Sequence, residues 1–378
     1  MIKYQDLYEQ FAIDKYFEEI SITICYKANN DGYIINDIRI DTPNSPNQIQ
    51  EIVTRCKNRF VGYCDNKQLF YLYKEMLQNL ASLREKIDVV SLKPVETQLY
   101  YNYFRGQSHN YELRPGILRT RLADRYRREF ERPYKQISNE FPNHVIYSSL
   151  QETDLHIREE ALSILQHFTM KTSLLDITKN PFIAMLFMFS GVPRINSPMT
   201  NNIDRKYIED NERKPTLYLF DIKEDLDYTE TLFSEVKRNP FNSRIIAQKG
   251  AFLNFDKACL WDEKQLPTPI PVIKIVLSYD WKFQQDDFSN VNGEEAWLNK
   301  DILEAIKEDS EKNLISQFKE YEQTLKYIFE EIKLKLAEYY YIEGDLYPDF
   351  EKRIEYISNL YEHSNRKDIK LLIQKELG

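Results

Sequence analysis

The stretch Tyr103-Phe-Arg-Gly-Gln107 places one arginine where a predicted strand runs into a loop. Strand-forming residues fill the run Leu99-Tyr-Tyr-Asn-Tyr-Phe104, and Gly106 permits backbone geometry that a side chain would forbid. The residues that follow, Gln107-Ser-His-Asn-Tyr111, are polar and turn-prone. We therefore expect Arg105 to point into a cleft, where its planar fork of donors suits a phosphate or a carboxylate. A structural ion pair is the alternative role for this arginine.

The composition is that of an ordinary globular protein, with 42% hydrophobic and 29% charged residues in 378. No run approaches the roughly 18 apolar residues that a membrane helix needs, and Pro181–Phe189, the most apolar stretch, predicts a buried helix. The start, Met1–Asp6, has no signal-peptide pattern. We expect a reducing cytoplasm, because the cysteines match no zinc motif and no disulfide framework. They are Cys25, Cys56, Cys64 and Cys259.

The net charge of −9 argues against a protein that coats nucleic acid through bulk electrostatics, but it does not exclude a local basic patch. Seven arginines lie between residues 114 and 132 and predict a groove for phosphates or for an anionic partner. They are Arg114, Arg119, Arg121, Arg125, Arg127, Arg128 and Arg132. The alternative is a solvated helix face whose charges pair with Asp124, Glu129 and Glu131. Nucleic acid is therefore a possible but not a favoured partner.

Three regions are predicted along the chain: an N-terminal accessory region at 1–95, a core at 96–300 and a helical extension at 301–378 that closes the core. In the first, strand-like runs at 21–26 and 33–40 precede a helix whose apolar residues recur every three or four positions from Leu69 to Ile87. In the last, the same spacing from Leu314 to Leu336 predicts a packing helix of more than six turns.

The pattern of residues 96–300 predicts an α+β or mixed α/β core, with a central mixed or antiparallel sheet flanked by helices. A helix is predicted at 152–168, a polar insertion at 193–214, and strands at 216–220, 251–255 and 272–277.

Two polar segments in this core predict chemistry. Thr172, Ser173 and Asp176 lie in a predicted short link between two helices, where they could grip a ribose or position a nucleophile. Thr178 or Asn180 is an expected N-cap for the helix that begins at Pro181. His167, just before this link, is either a ligand-binding or a structural histidine.

The segment Arg244–Phe252 is predicted to enter a strand with Gln248 and Gly250 on one face, leaving room above Gly250 for a ligand. A bulge in the sheet is the alternative. A fourth segment, Leu346–Phe350, follows near the end of the chain. No metal site is expected, because the histidines lack zinc-hydrolase spacing, and the sequence has no nucleotide-binding glycine loop.

Taken in order, these four segments resemble the FRG-domain family, named for its (Phe/Tyr)-Arg-Gly motif, over roughly residues 96–360. The sequence departs from the family pattern at three positions of the second segment. Thr169, Ser173 and Ile177 stand where the family usually has Gly, Arg and Trp. The resemblance implies a bacterial toxin or phage-defence module, with an antitoxin or a protein target as a possible partner.

More distantly, the pattern is similar to arginine-class ADP-ribosyltransferases, which implies a transferase-like fold and NAD as substrate. Arg105 would then hold the diphosphate or ribose, Gln248 would lie near the glycosidic bond, and Asp176 would be the candidate acid. Gly250 stands where those enzymes carry a carboxylate. The residues predicted to bind the ligand are Arg105, Gly106, Gln107, His167, Thr172, Ser173 and Arg244.

Two functions follow as expectations. The first is an NAD-using ADP-ribosyltransferase or NAD glycohydrolase that needs no metal and has Arg105, Asp176 and Gln248 as catalytic residues. The second is a non-catalytic module that senses a nucleotide or a partner protein. A phosphate-transfer or nuclease activity on RNA is the remaining alternative; the net charge of −9 argues against it, and the arginine cluster at 114–132 argues for it.

Overall fold

A computed structural model describes most of the chain. The described ranges are 3–30, 32–63, 68–81, 86–87, 94–95, 101–151, 155–191, 212–224, 226, 230–235, 243–261, 268–282, 300–348, 353–354 and 357–358. Most of the predicted insertion at 193–214 and the last two residues of the segment Leu346–Phe350 lie outside these ranges.

The described strands form one large sheet and one small one. They are β1 (Phe17–Asn29), β2 (Gly32–Ile40), β3 (Lys86–Ile87), β4 (Pro94–Val95), β5 (Tyr103–Gln107), β6 (Leu174–Thr178), β7 (Thr216–Phe220), β8 (Phe233–Ser234), β9 (Gly250–Asn254) and β10 (Ile270–Tyr279). Among described residues, eight strands make the large sheet, in the order β2-β1-β10-β7-β5-β6-β9-β8, and β3 pairs with β4. The sheet is mixed, because β1 and β10 run parallel while the other neighbours run antiparallel.

Helices cover both faces of the sheet. They are α1 (Tyr4–Glu9), α2 (Asn47–Phe60), α3 (Gln68–Leu80), α4 (Asp124–Glu129), α5 (Glu131–Glu140), α6 (His156–His167), α7 (Pro181–Met188), α8 (Ser243–Ala247), α9 (Asp256–Leu260) and α10 (Lys300–Ala337). One buried apolar cluster joins the sheet to α2, α3, α7 and α10, and a second joins it to α1, α5, α6 and α9. This arrangement confirms the predicted α+β fold. In the described part of the chain, no helix is long and apolar enough to cross a membrane.

The sheet continues across the boundary predicted at residue 95. Strand β1 pairs with β10 from Phe17 to Tyr26, so that Ile22 lies opposite Ile275. Both side chains are fully buried in the same cluster. The division into an accessory region and a core stays a prediction about the sequence, while in space the strands of both regions share one sheet.

Two predicted elements differ from the structure. The predicted helix from Leu69 ends at Leu80, and Ile87 lies in β3 instead, because apolar spacing alone does not mark where a helix ends. The predicted link at 172–176 runs into β6, a strand inside the large sheet. A short run with few apolar residues carries too little periodicity to distinguish a buried strand from a connection.

The backbone of α7 packs directly on β5. Asn180 caps α7 by accepting hydrogen bonds from the backbone N–H groups of Phe182 at 2.9 Å and Ile183 at 3.3 Å, as predicted. At Gly106, a Cβ atom would lie 1.7 Å from the Ala184 carbonyl oxygen, so only glycine admits the helix there. This contact explains the glycine of the Phe-Arg-Gly stretch.

A buried arginine anchors α6 on the other side of the sheet. Arg158 is fully buried, and its guanidinium donates to Asp256 at 2.7 Å, to both oxygens of Glu131, to the Ser148 carbonyl at 2.7 Å and to the Tyr4 hydroxyl at 2.9 Å. These five hydrogen bonds tie α1, α5, α6 and α9 together. They satisfy every donor of the guanidinium, which is what a buried structural arginine requires.

Replacing Gly106 by alanine is expected to lower the free energy of unfolding by about 3 kcal/mol or more, because the added methyl group overlaps the α7 backbone. Urea denaturation of the purified protein measures the change. The matched control is Gly250→Ala in β9, where the new Cβ would meet Ile245 at an ordinary 3.6 Å. Equal stability losses in the two variants would contradict the packing argument.

A second prediction concerns Glu322 on α10, which is 8% exposed. Burial raises the pKa of this carboxyl group to about 7. Because the folded pKa lies above the unfolded one, the contribution to stability is present at low pH and is lost as the pH rises through 7. Glu322→Gln should therefore reduce the stability lost between pH 5 and 8 by about 2–3 kcal/mol in urea denaturation. The exposed neighbour Glu320→Gln should leave that pH dependence unchanged.

Candidate functional site

Arg105 lies where β5 and β6 separate. On β5 it is opposite Tyr218 of β7, and it shares that side of the sheet with Tyr103. Within the described strands, β5 and β6 pair at one position, Phe104 opposite Thr178. Next to that pair, the Arg105 side chain connects the two strands in place of a backbone hydrogen bond. Its Nη1 donates to the Asp176 carbonyl oxygen at 2.6 Å. The arginine therefore bridges two strands of the sheet through its side chain.

The Arg105 guanidinium is poorly satisfied for a buried cation. Its side chain is 14% exposed, and its Nε has no hydrogen-bond partner among the described residues. Burial lowers the pKa of Arg105, Asp176 opposes that shift, and the positive charge of Arg119 adds to it. An arginine nevertheless stays charged in proteins. A buried positive charge with an unpaired donor and a second arginine nearby favours the binding of an anion.

Asp176 presents an oriented carboxylate beside this arginine. Its Oδ2 lies 3.9 Å from Arg105 Nη1, and its side chain is 60% exposed. Its Oδ1 accepts a hydrogen bond from Gln166 Nε2 at 2.7 Å. The carboxylate is thus held in place by an amide rather than neutralised by a tight ion pair, and it remains open to solvent.

Gln166 joins Asp176 to Thr172. The Thr172 hydroxyl donates to Gln166 Oε1 and accepts from the Leu174 backbone N–H at 3.3 Å. Gln166 is absent from the sequence prediction, although it directly precedes His167 at the end of a predicted helix. Its place in the last turn of that helix, immediately before the predicted polar segment, is the sequence feature that could have indicated a role in the site.

The other predicted ligand residues near β5 and β6 have structural contacts. Gly106 faces α7 as described above. Gln107 is 8% exposed and donates from Nε2 to the Tyr111 carbonyl oxygen at 3.0 Å, which holds the loop after β5. Ser173 is fully buried, and its backbone carbonyl accepts from the Phe255 N–H at 3.0 Å. Its side-chain hydroxyl has no hydrogen-bond partner among the described residues. Of the predicted residues, the described contacts therefore link Arg105, Asp176 and Thr172 through Gln166.

Arg244 and His167 meet at the end of α6. Arg244 Nη1 donates to the His167 carbonyl oxygen at 3.5 Å, and its guanidinium lies 5.8 Å from the centre of the Tyr347 ring. The His167 ring contacts Phe168 edge to face at 4.8 Å. The second, third and fourth sequence segments therefore come together beside Gln166.

Gln248 does not lie on a strand, so that prediction is wrong. It occupies the turn between α8 and β9, and the next residue, Lys249, has a left-handed backbone with φ 46°. Its amide Nε2 donates to the Leu346 carbonyl oxygen at 3.1 Å, and its own carbonyl accepts from the Thr178 hydroxyl at 2.7 Å. Among the described residues, no hydrogen bond joins Gln248 to Arg105 or Asp176.

The space predicted above Gly250 is filled as well. Gly250 is the first residue of β9, and atoms of Ile245 lie 3.6 Å from the position that its Cβ would take. The helix α8 folds back over the strand start, which the alternation of residue types did not reveal. Within the described ranges, no group of three or more His, Cys, Asp or Glu residues could hold a metal ion.

The arrangement is a buried arginine beside an exposed carboxylate, at the position where two strands of a mixed sheet separate. The comparisons with known proteins agree with the family resemblance. Residues 101–196 match the family model of the FRG domain. The matched range contains Arg105, Gln166, Thr172 and Asp176. No curated protein and no solved structure matches the chain.

The departure at Thr169 has a visible conformational consequence. This residue, which stands where the family usually has glycine, adopts a left-handed backbone with φ 75° just after α6. Such a conformation is strained for a β-branched residue and unstrained for glycine. The chain therefore stores local strain next to Gln166 and His167.

Thr169→Gly is expected to raise the free energy of unfolding by about 0.5–1 kcal/mol, because relief of the strain exceeds the added entropy of the unfolded chain. Chemical denaturation at constant pH measures the difference. Thr169→Ala serves as the control, since it removes the side chain but keeps a Cβ atom. An equal gain from alanine would show that the backbone conformation is not the source.

Proposed function

We propose that the FRG domain binds a phosphate-bearing nucleotide at Arg105, that the nucleotide is NAD, and that Asp176 assists cleavage of its glycosidic bond. The observation that carries this proposal is the buried, incompletely satisfied guanidinium of Arg105 beside a solvent-exposed carboxylate. A guanidinium in such a place binds a diphosphate with charge-assisted hydrogen bonds.

The chemistry would use Asp176 as an electrostatic partner. The bond between ribose C1′ and the nicotinamide nitrogen breaks, and its electron pair leaves with nicotinamide. Positive charge develops on the ribose, and a carboxylate held nearby stabilises it. Water or a nucleophilic side chain of a target then attacks C1′ and gives up a proton. The products are nicotinamide and either free ADP-ribose or an ADP-ribosylated target.

The neighbouring residues would position these two groups. Gln166 fixes one carboxylate oxygen of Asp176 at 2.7 Å and is itself held by the Thr172 hydroxyl. A carboxylate that is fixed before the reaction loses little free energy to reorganisation as charge develops. Arg119 adds positive potential at Arg105, where the phosphates would bind.

A second function has its own support. Gly250 leaves no carboxylate at the position where arginine-class transferases carry one, and Ile245 covers that position. A cleft without this acid suits a module that binds a nucleotide, or a partner that presents an anionic group, without breaking a bond. The family context of bacterial toxin and defence modules accommodates both functions.

Two variants separate binding from cleavage. Arg105→Ala should abolish NAD binding in isothermal titration calorimetry together with nicotinamide release, because the phosphate contact is lost. Asp176→Asn keeps the Gln166 hydrogen bond and should retain binding, while release falls by about 10²–10³-fold through loss of the negative charge. The controls are Arg59→Ala and Asp37→Asn, which remove partners of surface ion pairs on α2 and β2.

The outcomes divide the two functions. Binding of NAD to the unaltered protein without nicotinamide release, in the presence or absence of a protein acceptor, would identify the sensing module. Undiminished binding and release by Arg105→Ala, with the fold intact by circular dichroism, would overturn the assignment of this cleft.

A further inference from the structure

A stripe of basic side chains runs along α4 and α5 on the surface. The two helices form one continuous path, because Phe130 between them has helical backbone angles and its carbonyl accepts from the Tyr134 N–H at 3.3 Å. Arg125, Arg128 and Arg132 follow at spacings of three and four residues, which places them on one face. All three are exposed, with Arg125 and Arg132 more than three-quarters so.

The stripe extends at both ends. Arg121 lies exposed in the turn before α4, and Lys135 follows Arg132 by three residues, with its ammonium 4.9 Å from the centre of the Tyr147 ring. We call Arg121, Arg125, Arg128, Arg132 and Lys135 the basic stripe. The segment 114–135 holds eight basic and three acidic residues within a chain of net charge −9.

The acidic residues of this segment do not neutralise the positive charge of the basic stripe. Asp124 is engaged by the buried Arg127 at 2.5 Å, and Glu131 by the buried Arg158. Of these three acids, only Glu129 pairs with the stripe. Its Oε2 lies 3.2 Å from Arg125 Nε and 4.0 Å from Arg132 Nη1. The alternative of a solvated helix face with balanced charges therefore does not fit, because two of its three acids are paired with arginines of the interior.

We propose that the basic stripe binds the phosphodiester backbone of single-stranded nucleic acid. Successive arginines rise about 4.5–6 Å along the helix axis, a regular spacing that suits a regular row of phosphates. Four of the five residues are arginine, which binds phosphate through two hydrogen bonds at once. An acidic peptide or protein partner presents no such fixed spacing of negative charge.

An exposed aromatic side chain at the end of α5 favours a single strand over a duplex. Phe141, which directly follows that helix, is 52% exposed. Unstacked bases stack on such rings, whereas the bases of a duplex are not available to them. A membrane surface is disfavoured, because the opposite face of the helices is buried through Phe130 and Tyr134 and cannot enter lipid.

The basic stripe also continues toward the candidate cleft. Arg119 is exposed just before Arg121, and its charge acts on Arg105. A strand bound along α4 and α5 would therefore lead toward the cleft. The proposed binding of nucleic acid does not depend on NAD cleavage, because none of the stripe residues is assigned to that reaction.

The test measures binding of fluorescently labelled 20-nucleotide single-stranded RNA and DNA by anisotropy, at several salt concentrations. The variant Arg125→Gln, Arg128→Gln, Arg132→Gln should weaken binding by about tenfold or more and reduce the log–log salt slope by about 2. Replacing the same three residues by lysine should preserve most of the affinity. The control variant, Arg39→Gln, Arg55→Gln, Arg59→Gln, loses the same charge on another surface and should bind as the unaltered protein does.

Each outcome decides the proposal. Equal losses in the two glutamine variants would show a response to net charge alone and would overturn a site at α4 and α5. Equally tight binding of a labelled poly-glutamate peptide would assign the stripe to an acidic protein instead. Tighter binding of a 20-base-pair duplex would overturn the single-strand preference. Nicotinamide release is measured separately and should be unchanged in the stripe variants.

Discussion

The close approach of α7 to β5 at Gly106 determines where the functional side chains can go. Because the helix backbone occupies the space of a missing Cβ, one face of β5 belongs to Phe104 and to α7. Strand alternation then sends Arg105 to the opposite face, among buried aromatic rings. Within the described strands, β5 and β6 pair at a single position, and the guanidinium lies beside that pair, next to Asp176. The residues of the Phe-Arg-Gly stretch therefore act together. The glycine allows α7 to pack on one face of β5, and the arginine side chain consequently lies on the other face.

Two arginines in this protein illustrate different uses of a buried charge. Arg158 makes five hydrogen bonds to carboxylates, a carbonyl and a hydroxyl, so it needs nothing further. Arg105 makes a hydrogen bond to the carbonyl of Asp176 and lies 3.9 Å from the carboxylate of the same residue. Removing a guanidinium from water without full compensation is unfavourable, and a bound anion would supply the missing partner. A purely structural ion pair would have a closer carboxylate.

The sequence predicted elements with strong local signals and failed where several segments meet. The strand at 216–220 and the cap at Asn180 follow from residue type and spacing, and the structure confirms both. Gln248 was misplaced, because one left-handed residue, Lys249, turns the chain between a short helix and β9. Gln166 was missed, because a glutamine at the end of a helix is commonplace until its distant partner, Asp176, is known.

Both features proposed to bind anions lie inside the range matched to the FRG domain, 101–196. This range supplies Arg105 and the basic stripe, while β1, β2, β10 and α10 lie outside it and complete the sheet and its apolar cover. A protein of net charge −9 repels polyanions at long range, so a basic surface on it binds only where positive charge is locally concentrated. The helices α4 and α5 provide such a concentration, because buried arginines hold two nearby acids and leave the surface arginines with one carboxylate among them. The ion pairs of the buried Arg127 and Arg158 thus leave the surface of α4 and α5 with a net positive charge.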